Sequence, residues 1–299
     1  MENIVTEITE TKPISLKVKT LAYFELTKPR IAFMLVLTAA AGFYLGIKDE
    51  FQIMLFVHSM VGITLLAFGV STLNQYIERQ TDVLMERTAN RPLPASKLSP
   101  LDALIFGLLL CIAAEIYLAV LVNPLTSGLG IVVIVGYVLL YTPLKRYTSA
   151  STAIGAIPGA MPPLMGWTSA ANEISLGAWV VFAMLFLWQF PHFLAIAWLY
   201  REQYKKAGIL MLPVVEPSGK MTARQIVIFA LMLLPISLAP FFIGLAGWVY
   251  LVGASLLGLW FLIESIKTAW EKSEKSARRL LLVSVLYLPL IYGLMVFNH

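Results

Sequence analysis

The sequence predicts an all-α protein that crosses a lipid bilayer repeatedly as a single bundle of nine helices. Of its 299 residues, 59% are hydrophobic and only 13% are charged, whereas a soluble domain has roughly 25% charged residues. The mean hydropathy is +0.80. Nine apolar runs lie between polar segments, and each is close to the ~20 residues that a helix needs to cross the hydrocarbon layer. We therefore interpret residues 1–299 as one membrane domain.

The nine predicted spans follow one another between residues 31 and 297. They cover residues 31–47, 53–73, 101–122, 125–141, 152–169, 175–200, 226–245, 248–266 and 280–297. Turn-forming residues such as Asn123, Pro143 and Gly247 separate several of them. The preceding segment, 1–30, is polar and lacks the apolar stretch of a cleavable signal peptide, so we expect it to remain as a cytoplasmic segment.

The distribution of basic residues predicts the orientation of the bundle. With the N-terminus in the cytoplasm, the cytoplasmic segments contain 21 of the 22 lysines and arginines, and only Lys48 lies outside them. These segments are 1–30, 74–100, 142–151, 201–225 and 267–279. Such asymmetry follows the positive-inside rule. It predicts a cell-membrane protein with its N-terminus inside and its C-terminus outside, and it explains the pI of about 9.2 without a nucleic-acid partner.

The first long cytoplasmic segment carries the clearest candidate site. Asn74, Glu78 and Asp82 are four residues apart and follow the second apolar run directly. On a helix these positions share one face, and acids at the end of a membrane helix are costly unless something requires them. Magnesium prefers oxygen ligands and is usually held by one or two carboxylates together with substrate phosphates. Glu78 and Asp82 are therefore candidate Mg²⁺ ligands, and Asn74 adds an amide oxygen or donor.

Basic residues interleave with these acids. Arg79, Arg87 and Arg91 lie in the same stretch, and the guanidinium group matches the oxygens of phosphate. The pattern therefore fits a magnesium–phosphate site. A solvated helix with local ion pairs, such as Arg79 with Asp82, fits the same spacing and stays open as an alternative. We expect Pro92 to end the helix.

The next cytoplasmic segment contains two cations, Lys145 and Arg146. Their position on the same side of the membrane as Glu78 and Asp82 suits them to bind a diphosphate. Lysine and arginine also anchor membrane helices at the interface, and that interpretation stays open too.

Two features lie inside the predicted spans. His192 belongs to the sixth span, and an ionisable residue at membrane depth is a functional candidate that could ligate haem iron or a metal, or move a proton. An interhelical hydrogen bond is the alternative. Residues 155–167, GAIPGAMPPLMGW, are dense in glycine and proline. They predict either room for a bulky substrate or close helix packing through small residues, which the sequence favours.

Several motifs together resemble the UbiA superfamily of intramembrane prenyltransferases, and within it the branch that makes haem O. The motifs are LTKPR at 26–30, NQYIERQTDVLMERTANRPLP at 74–94, YTPLKR at 141–146, GAIPGAMPPLMGW at 155–167, WQFPHF at 188–193 and AGILMLPVV at 207–215. The resemblance covers residues 26 to about 219. It implies a UbiA-like helical bundle and a prenyl diphosphate bound through Mg²⁺ at two acidic motifs on facing helix ends.

The first of these acidic motifs is matched and the second is not. Asn74, Glu78 and Asp82 match the first motif. The wider superfamily has two aspartates four residues apart in the second, where this chain has Tyr200 and Tyr204. Haem O synthases often carry an acid at the position of Gln203, and Glu202 is the remaining acid of this segment.

The resemblance implies a reaction. A farnesyl group would pass from farnesyl diphosphate to a vinyl group of haem b, giving haem O and diphosphate. The catalytic residues would be Glu78, Asp82 and Lys145, with Mg²⁺ on the two acids. The substrate-binding residues would be Asn74, Arg79, Arg87, Arg91, Arg146, His192, Glu202 and Tyr204.

Two other functions stay open from the sequence. One is a related prenyltransferase that acts on a quinone precursor, and the other is a haem or lipid transporter, since helices broken by glycine and proline also occur in transporters. Beyond farnesyl diphosphate, haem b and the lipid bilayer, the candidate partner is an enzyme that processes haem O or a factor that assembles a terminal oxidase.

Overall fold

The computed structural model describes residues 15–299, and regular structure within that range is entirely helical. Fourteen α-helices and one π-helical segment follow one another along the chain. They are α1 (Leu16–Leu26), α2 (Pro29–Leu45), α3 (Ile53–Asp82), α4 (Pro100–Leu121), α5 (Pro124–Val133), the π-helical segment (Ile134–Tyr141), α6 (Thr142–Leu144), α7 (Ser151–Gly159), α8 (Met161–Ala171), α9 (Leu176–Leu199), α10 (Arg201–Lys206), α11 (Leu212–Val215), α12 (Lys220–Phe242), α13 (Trp248–Glu271) and α14 (Glu274–Phe297). The predicted all-α class is confirmed.

Each predicted apolar run lies on helical structure, but the count of nine spans is not confirmed. Over the described residues, seven helices are long and apolar enough to cross a membrane, and the bent pair α1–α2 gives up to eight. The predicted span 152–169 is divided at Ala160 into α7 and α8, because Pro162 and Pro163 begin a new helix there. The first predicted span corresponds to α2, which has only 17 residues and joins α1 at an angle of 40°. These apolar helices make the chain an integral membrane protein.

The glycine- and proline-rich segment packs helices together rather than opening a space. A Cβ atom on Gly42 of α2 would overlap the backbone oxygen of Pro163, and one on Gly166 of α8 would overlap the backbone oxygen of Ala39. The two backbones therefore approach so closely that only glycine fits at both positions. Of the two interpretations of residues 155–167, helix packing accounts for this contact.

The helices form two groups that share one apolar core. In the first, α2 packs on α8 and α3 packs on α4; in the second, α12 packs on α13, and α9 contacts both α12 and α14. Contacts of α8 with α9 and of α2 with α14 join the groups. Buried side chains such as Leu118, Met184 and Leu233 belong to one continuous cluster, so the core crosses both groups.

Candidate active site

The final two turns of α3 carry the candidate site. The helix continues past the predicted apolar run to Asp82, so Asn74, Glu78 and Asp82 lie on one helical face, as their spacing predicts. The exposed fraction is 2% for Asn74 and 0% for Asp82. These side chains therefore face the protein interior and not bulk solvent. The alternative of a solvated helix does not explain this burial.

Each of the two acids has a cationic partner. Glu78 Oε1 lies 2.7 Å from Lys145 Nζ, and both side chains are only 13% exposed. Asp82 Oδ2 lies 2.8 Å from Arg91 Nη1. The second oxygen of Asp82, Oδ1, is buried and has no hydrogen-bond partner. Since buried polar atoms are normally satisfied, this oxygen is available for a ligand.

A π-helical segment and the short α6 deliver Lys145. The π-helical segment ends at Tyr141, and π-helical turns occur frequently at functional sites. The ammonium group lies 4.2 Å from the centroid of the Tyr141 ring, in the range of a cation–π contact. Asn74 Nδ2 donates to Thr142 Oγ1 at 3.2 Å, which ties α3 to α6. The backbone N–H of Leu210 donates to the carbonyl oxygen of Lys145 at 2.8 Å. This bond attaches the segment after α10 to the residue that carries the ammonium group.

The charge state of Lys145 follows from these neighbours. Burial by itself lowers the pKa of the ammonium group, but the adjacent Glu78 carboxylate, with Tyr141 and Tyr137, raises the pKa well above its ordinary value. Lys145 is therefore a permanent cation at neutral pH.

Arg91 reaches Asp82 because the chain reverses direction earlier than predicted. We expected Pro92 to end the helix, but α3 ends at Asp82. The Thr88 hydroxyl donates to the carbonyl oxygen of Asp82 at 2.9 Å, and the Arg91 N–H donates to the Thr88 carbonyl oxygen at 3.0 Å. A side chain thus caps the helix end, and the turns that follow place Arg91 beside the last acid of α3.

Arg87 joins the first loop to the second motif. Its Nη2 donates to Tyr204 Oη at 2.9 Å, and its backbone N–H donates to Gln203 Oε1 at 3.3 Å. The guanidinium carbon lies 4.8 Å from the Tyr200 ring centroid and 5.3 Å from that of Tyr204. The start of α10 therefore meets the loop after α3 through the aromatic rings of Tyr200 and Tyr204 and the Tyr204 hydroxyl.

Three of the predicted residues lie on the same end of the bundle but not in this cluster. Arg79 donates to the Tyr76 carbonyl oxygen at 2.7 Å, so Asp82 pairs with Arg91 and not with Arg79. Arg146 is exposed. The Glu202 side chain is 74% exposed and lies 3.7 Å from Arg201. Their roles in binding stay predictions.

His192 occupies a separate polar position between α9 and α14. Its Nδ1 lies 2.8 Å from Ser284 Oγ, and its ring stacks on Trp188 with the ring centroids 4.6 Å apart. Trp188 Nε1 donates to the Ser284 carbonyl oxygen at 2.9 Å. The imidazole is thus held in one orientation, as the hydrogen-bond alternative expected, and Nε2 is the ring nitrogen that Ser284 does not engage.

Sequence reasoning missed Lys28 as a member of the cluster. Its Nζ donates to Asn74 Oδ1 at 2.7 Å. The available signal was the LTKPR motif directly before the first predicted span, which was used for the resemblance and not for the site.

A bundle of apolar helices with acids, an amide and cations gathered at one end defines an integral membrane protein with a partly buried cluster of charged side chains. Comparison with known proteins gives the family. Residues 35–288 match the UbiA prenyltransferase family. The chain therefore belongs to the UbiA prenyltransferase family, and the predicted enzyme class, prenyltransferase, is confirmed.

Relatives support the branch that the motifs indicated. The chain is 48% identical over 286 residues to the protoheme IX farnesyltransferase of Solibacter usitatus, covering 93% of this chain and 98% of the relative. It is 42% identical over 287 residues to the protein of that name from Koribacter versatilis, covering 93% of each chain. The predicted resemblance is confirmed.

Solved structures share the fold. A digeranylgeranylglyceryl phosphate synthase structure matches with a TM-score of 0.79 at 15% identity and covers 94% of this chain and 98% of its own. A UbiA homologue from Archaeoglobus fulgidus, bound to GPP and Mg²⁺, matches with a TM-score of 0.65 at 16% identity and covers 92% and 99%. At such low identity these structures show the common fold.

Proposed function

We propose that the protein transfers the farnesyl group of farnesyl diphosphate to a vinyl group of haem b, giving haem O and diphosphate. The observation that carries the proposal is the paired cluster at the end of α3, in which Glu78 and Asp82 face Lys145 and Arg91. The near full-length similarity to two protoheme IX farnesyltransferases supports the choice of haem as acceptor.

The residues at the end of α3 fit a magnesium ion. Within residues 15–299, no three His, Cys, Asp or Glu side chains come together as a metal site. Two carboxylates suffice for Mg²⁺, because this ion commonly takes its remaining ligands from water and substrate phosphates. The Oδ1 atom of Asp82, which has no hydrogen-bond partner, is a carboxylate oxygen that could bind the ion. We propose that Glu78 and Asp82 hold the ion, which when bound would neutralise the negative charge of the diphosphate.

The cations of the site would stabilise the leaving group. The reaction breaks the bond between the allylic carbon and the diphosphate oxygen, so the diphosphate departs with the electron pair. Lys145 and Arg91 are already oriented by their carboxylate partners, and preorganised charges of this kind stabilise developing anions without reorganisation. Arg87, held by Tyr204, would bind the outer phosphate.

The acceptor then completes the bond. The vinyl π electrons attack the allylic carbon, and the cation that remains on the former vinyl group takes a hydroxyl from water with release of a proton. The apolar helices around the site would keep water from capturing the allylic cation first. We propose that His192, fixed through Nδ1 by Ser284, presents Nε2 to the haem iron and orients the porphyrin.

Orientation and localisation are part of the proposal. The site lies at the end of the bundle that contains residues 74–100, 142–151 and 201–225, and their excess of lysine and arginine supports a cytoplasmic location in the cell membrane. The partner that receives haem O, an oxidase assembly factor or a haem-processing enzyme, stays a prediction.

Haem extraction tests this function. Cells that express the protein should contain a haem whose mass exceeds that of haem b by one farnesyl group plus one hydroxyl group. Cells that express Asp82→Ala should contain only haem b at equal protein level. Prenylation of an aromatic quinone precursor, with haem b untouched, would replace the proposal by the quinone alternative.

A further inference from the structure

Lys28 connects α1 to α2 in an unusual backbone conformation. Its φ is 50° and its ψ is 58°, in the left-handed region, which is unfavourable for a residue with a Cβ atom. Such conformations persist where the surrounding structure determines them, and they are concentrated at functional sites. Here the conformation directs the Lys28 side chain to Asn74, on the face of α3 that carries the two acids.

The neighbouring helices hold this conformation. Leu26, just before the turn, is fully buried, and its carbonyl oxygen accepts a hydrogen bond from Gln75 Nε2 at 2.9 Å. The backbone N–H of Lys28 donates to the Glu25 carbonyl oxygen at 3.2 Å, and the Ile31 N–H donates to the Lys28 carbonyl oxygen at 2.9 Å. Contacts on both sides of the turn therefore fix the ammonium group of Lys28 in the site.

Within the described residues, Lys28 lacks the anionic partner that Lys145 and Arg91 have. Glu78 pairs with Lys145 and Asp82 pairs with Arg91. Lys28 instead donates to a neutral amide oxygen, and no carboxylate of residues 15–299 lies within ion-pair distance of it. A partly buried cation is unfavourable without a charged partner, so an anion that bound beside Asn74 would stabilise the ammonium form of Lys28.

We propose that Lys28 is a further substrate-binding residue, whose ammonium group contacts the diphosphate of the prenyl substrate. The proposal rests on the proposed function of the α3 cluster. Asn74 Oδ1 holds the ammonium group in place before substrate binds. The phosphate oxygens of the substrate then supply Lys28 with a negatively charged partner, as Glu78 and Asp82 do for Lys145 and Arg91.

Binding of the prenyl diphosphate separates this role from a structural one. Lys28→Met removes the charge and keeps most of the side-chain length, and Lys28→Arg keeps the charge. Lys19→Met is the matched control, because Lys19 is exposed on α1. The purified proteins are compared in the KM for farnesyl diphosphate, the KM for haem b, inhibition by inorganic diphosphate in the presence of Mg²⁺, and melting temperature.

We expect Lys28→Met to raise the KM for farnesyl diphosphate about tenfold to a hundredfold, the range of a charge-assisted hydrogen bond. Inhibition by inorganic diphosphate should weaken by the same factor, whereas the KM for haem b should not change. Lys28→Arg should recover most of the affinity, and Lys19→Met should match the unmodified protein.

Two results would overturn the inference. One is equal affinity of Lys28→Met and the unmodified protein for farnesyl diphosphate. The other is an equal rise of both KM values with a lowered melting temperature, which would show that Lys28 only supports the fold. If the unmodified protein binds neither farnesyl diphosphate nor inorganic diphosphate, the proposed function itself fails, and this result is distinct from the other two.

Discussion

Replacement of Lys145 by methionine tests the electrostatic role of the α3 cluster. Methionine keeps an apolar side chain over the Tyr141 ring but removes the charge 2.7 Å from Glu78 Oε1. Loss of one preorganised group that stabilises a developing anion typically lowers kcat by ~10²–10³. We therefore expect kcat for haem O formation to fall by about two to three orders of magnitude.

The same substitution should lower stability, because it leaves the Glu78 carboxylate without its cation. Breaking a buried ion pair by removing one partner costs roughly 3–5 kcal/mol. Both side chains here are 13% exposed, so solvent screening places the expected loss at the lower end of that range, about 3 kcal/mol. The double variant Lys145→Met with Glu78→Gln removes the unpaired charge, and it should recover stability without recovering kcat.

The assay measures haem O by mass and diphosphate release on purified protein, with thermal unfolding in parallel. Lys206→Met is the matched control, since Lys206 is an exposed lysine of α10; its kcat should stay within about threefold of the unmodified protein, as for a surface charge. Turnover by folded Lys145→Met at close to the unmodified rate would refute the role of this cation.

The pH dependence gives a second check on Lys145. The pKa of Lys145 is raised in the folded protein, so its contribution to stability is fully present below the unfolded pKa and is lost only as pH rises through the higher folded pKa. Because the raised pKa keeps Lys145 protonated between about pH 6 and 9, its effect on catalysis should not change in this interval. The ratio of kcat between the unmodified protein and Lys145→Met should therefore be constant there. A ratio that falls towards one within this interval would mean that the lysine deprotonates there.

Three further substitutions test other parts of the account. Asp82→Ala should lower the rate of haem O formation by about 10² or more, while the protein still inserts and folds. Asp102→Ala, in the first turn of α4, is its control. Near-normal turnover of Asp82→Ala would contradict the metal-binding role of Asp82. Gly166→Ala should destabilise the α2–α8 contact by about 1–3 kcal/mol in thermal unfolding, unlike Gly128→Ala, which has no atom near its Cβ position. His192→Ala should raise the KM for haem b about tenfold and leave the KM for farnesyl diphosphate unchanged, and equal changes in both would contradict a role in orienting haem.

Local regularity explains what could be predicted from the sequence. The 3.6-residue period of a helix is enough to place Asn74, Glu78 and Asp82 on one face, and the structure has them there. Apolar length is likewise local, so each predicted run lies on helical structure. The broken span was harder, because prolines are tolerated in membrane helices. Whether Pro162 and Pro163 bend a helix or start a new one depends on the packing of α8 against α2.

Pairing across the chain could not be predicted. Lys145 is 67 residues from Glu78, and Arg87 is 117 residues from Tyr204, so only the tertiary fold identifies them as partners. The sequence indicated Arg79 as the local partner of Asp82, whereas the structure pairs Asp82 with Arg91. The choice between them depends on the helix ending at Asp82, where the Thr88 hydroxyl caps the carbonyl group. Lys28 was missed because its conformation is set by contacts of α1 with α3.

The central claim is that the cluster at the end of α3 releases diphosphate from farnesyl diphosphate as haem b is alkylated. The most direct measurement incubates the purified protein with farnesyl diphosphate, haem b and Mg²⁺, and quantifies haem O and diphosphate over time. We expect equal amounts of both products, and neither product when Mg²⁺ is chelated. Haem O formation that continues at an unchanged rate in Asp82→Ala and Lys145→Met, or the absence of haem O from the folded protein, would contradict it.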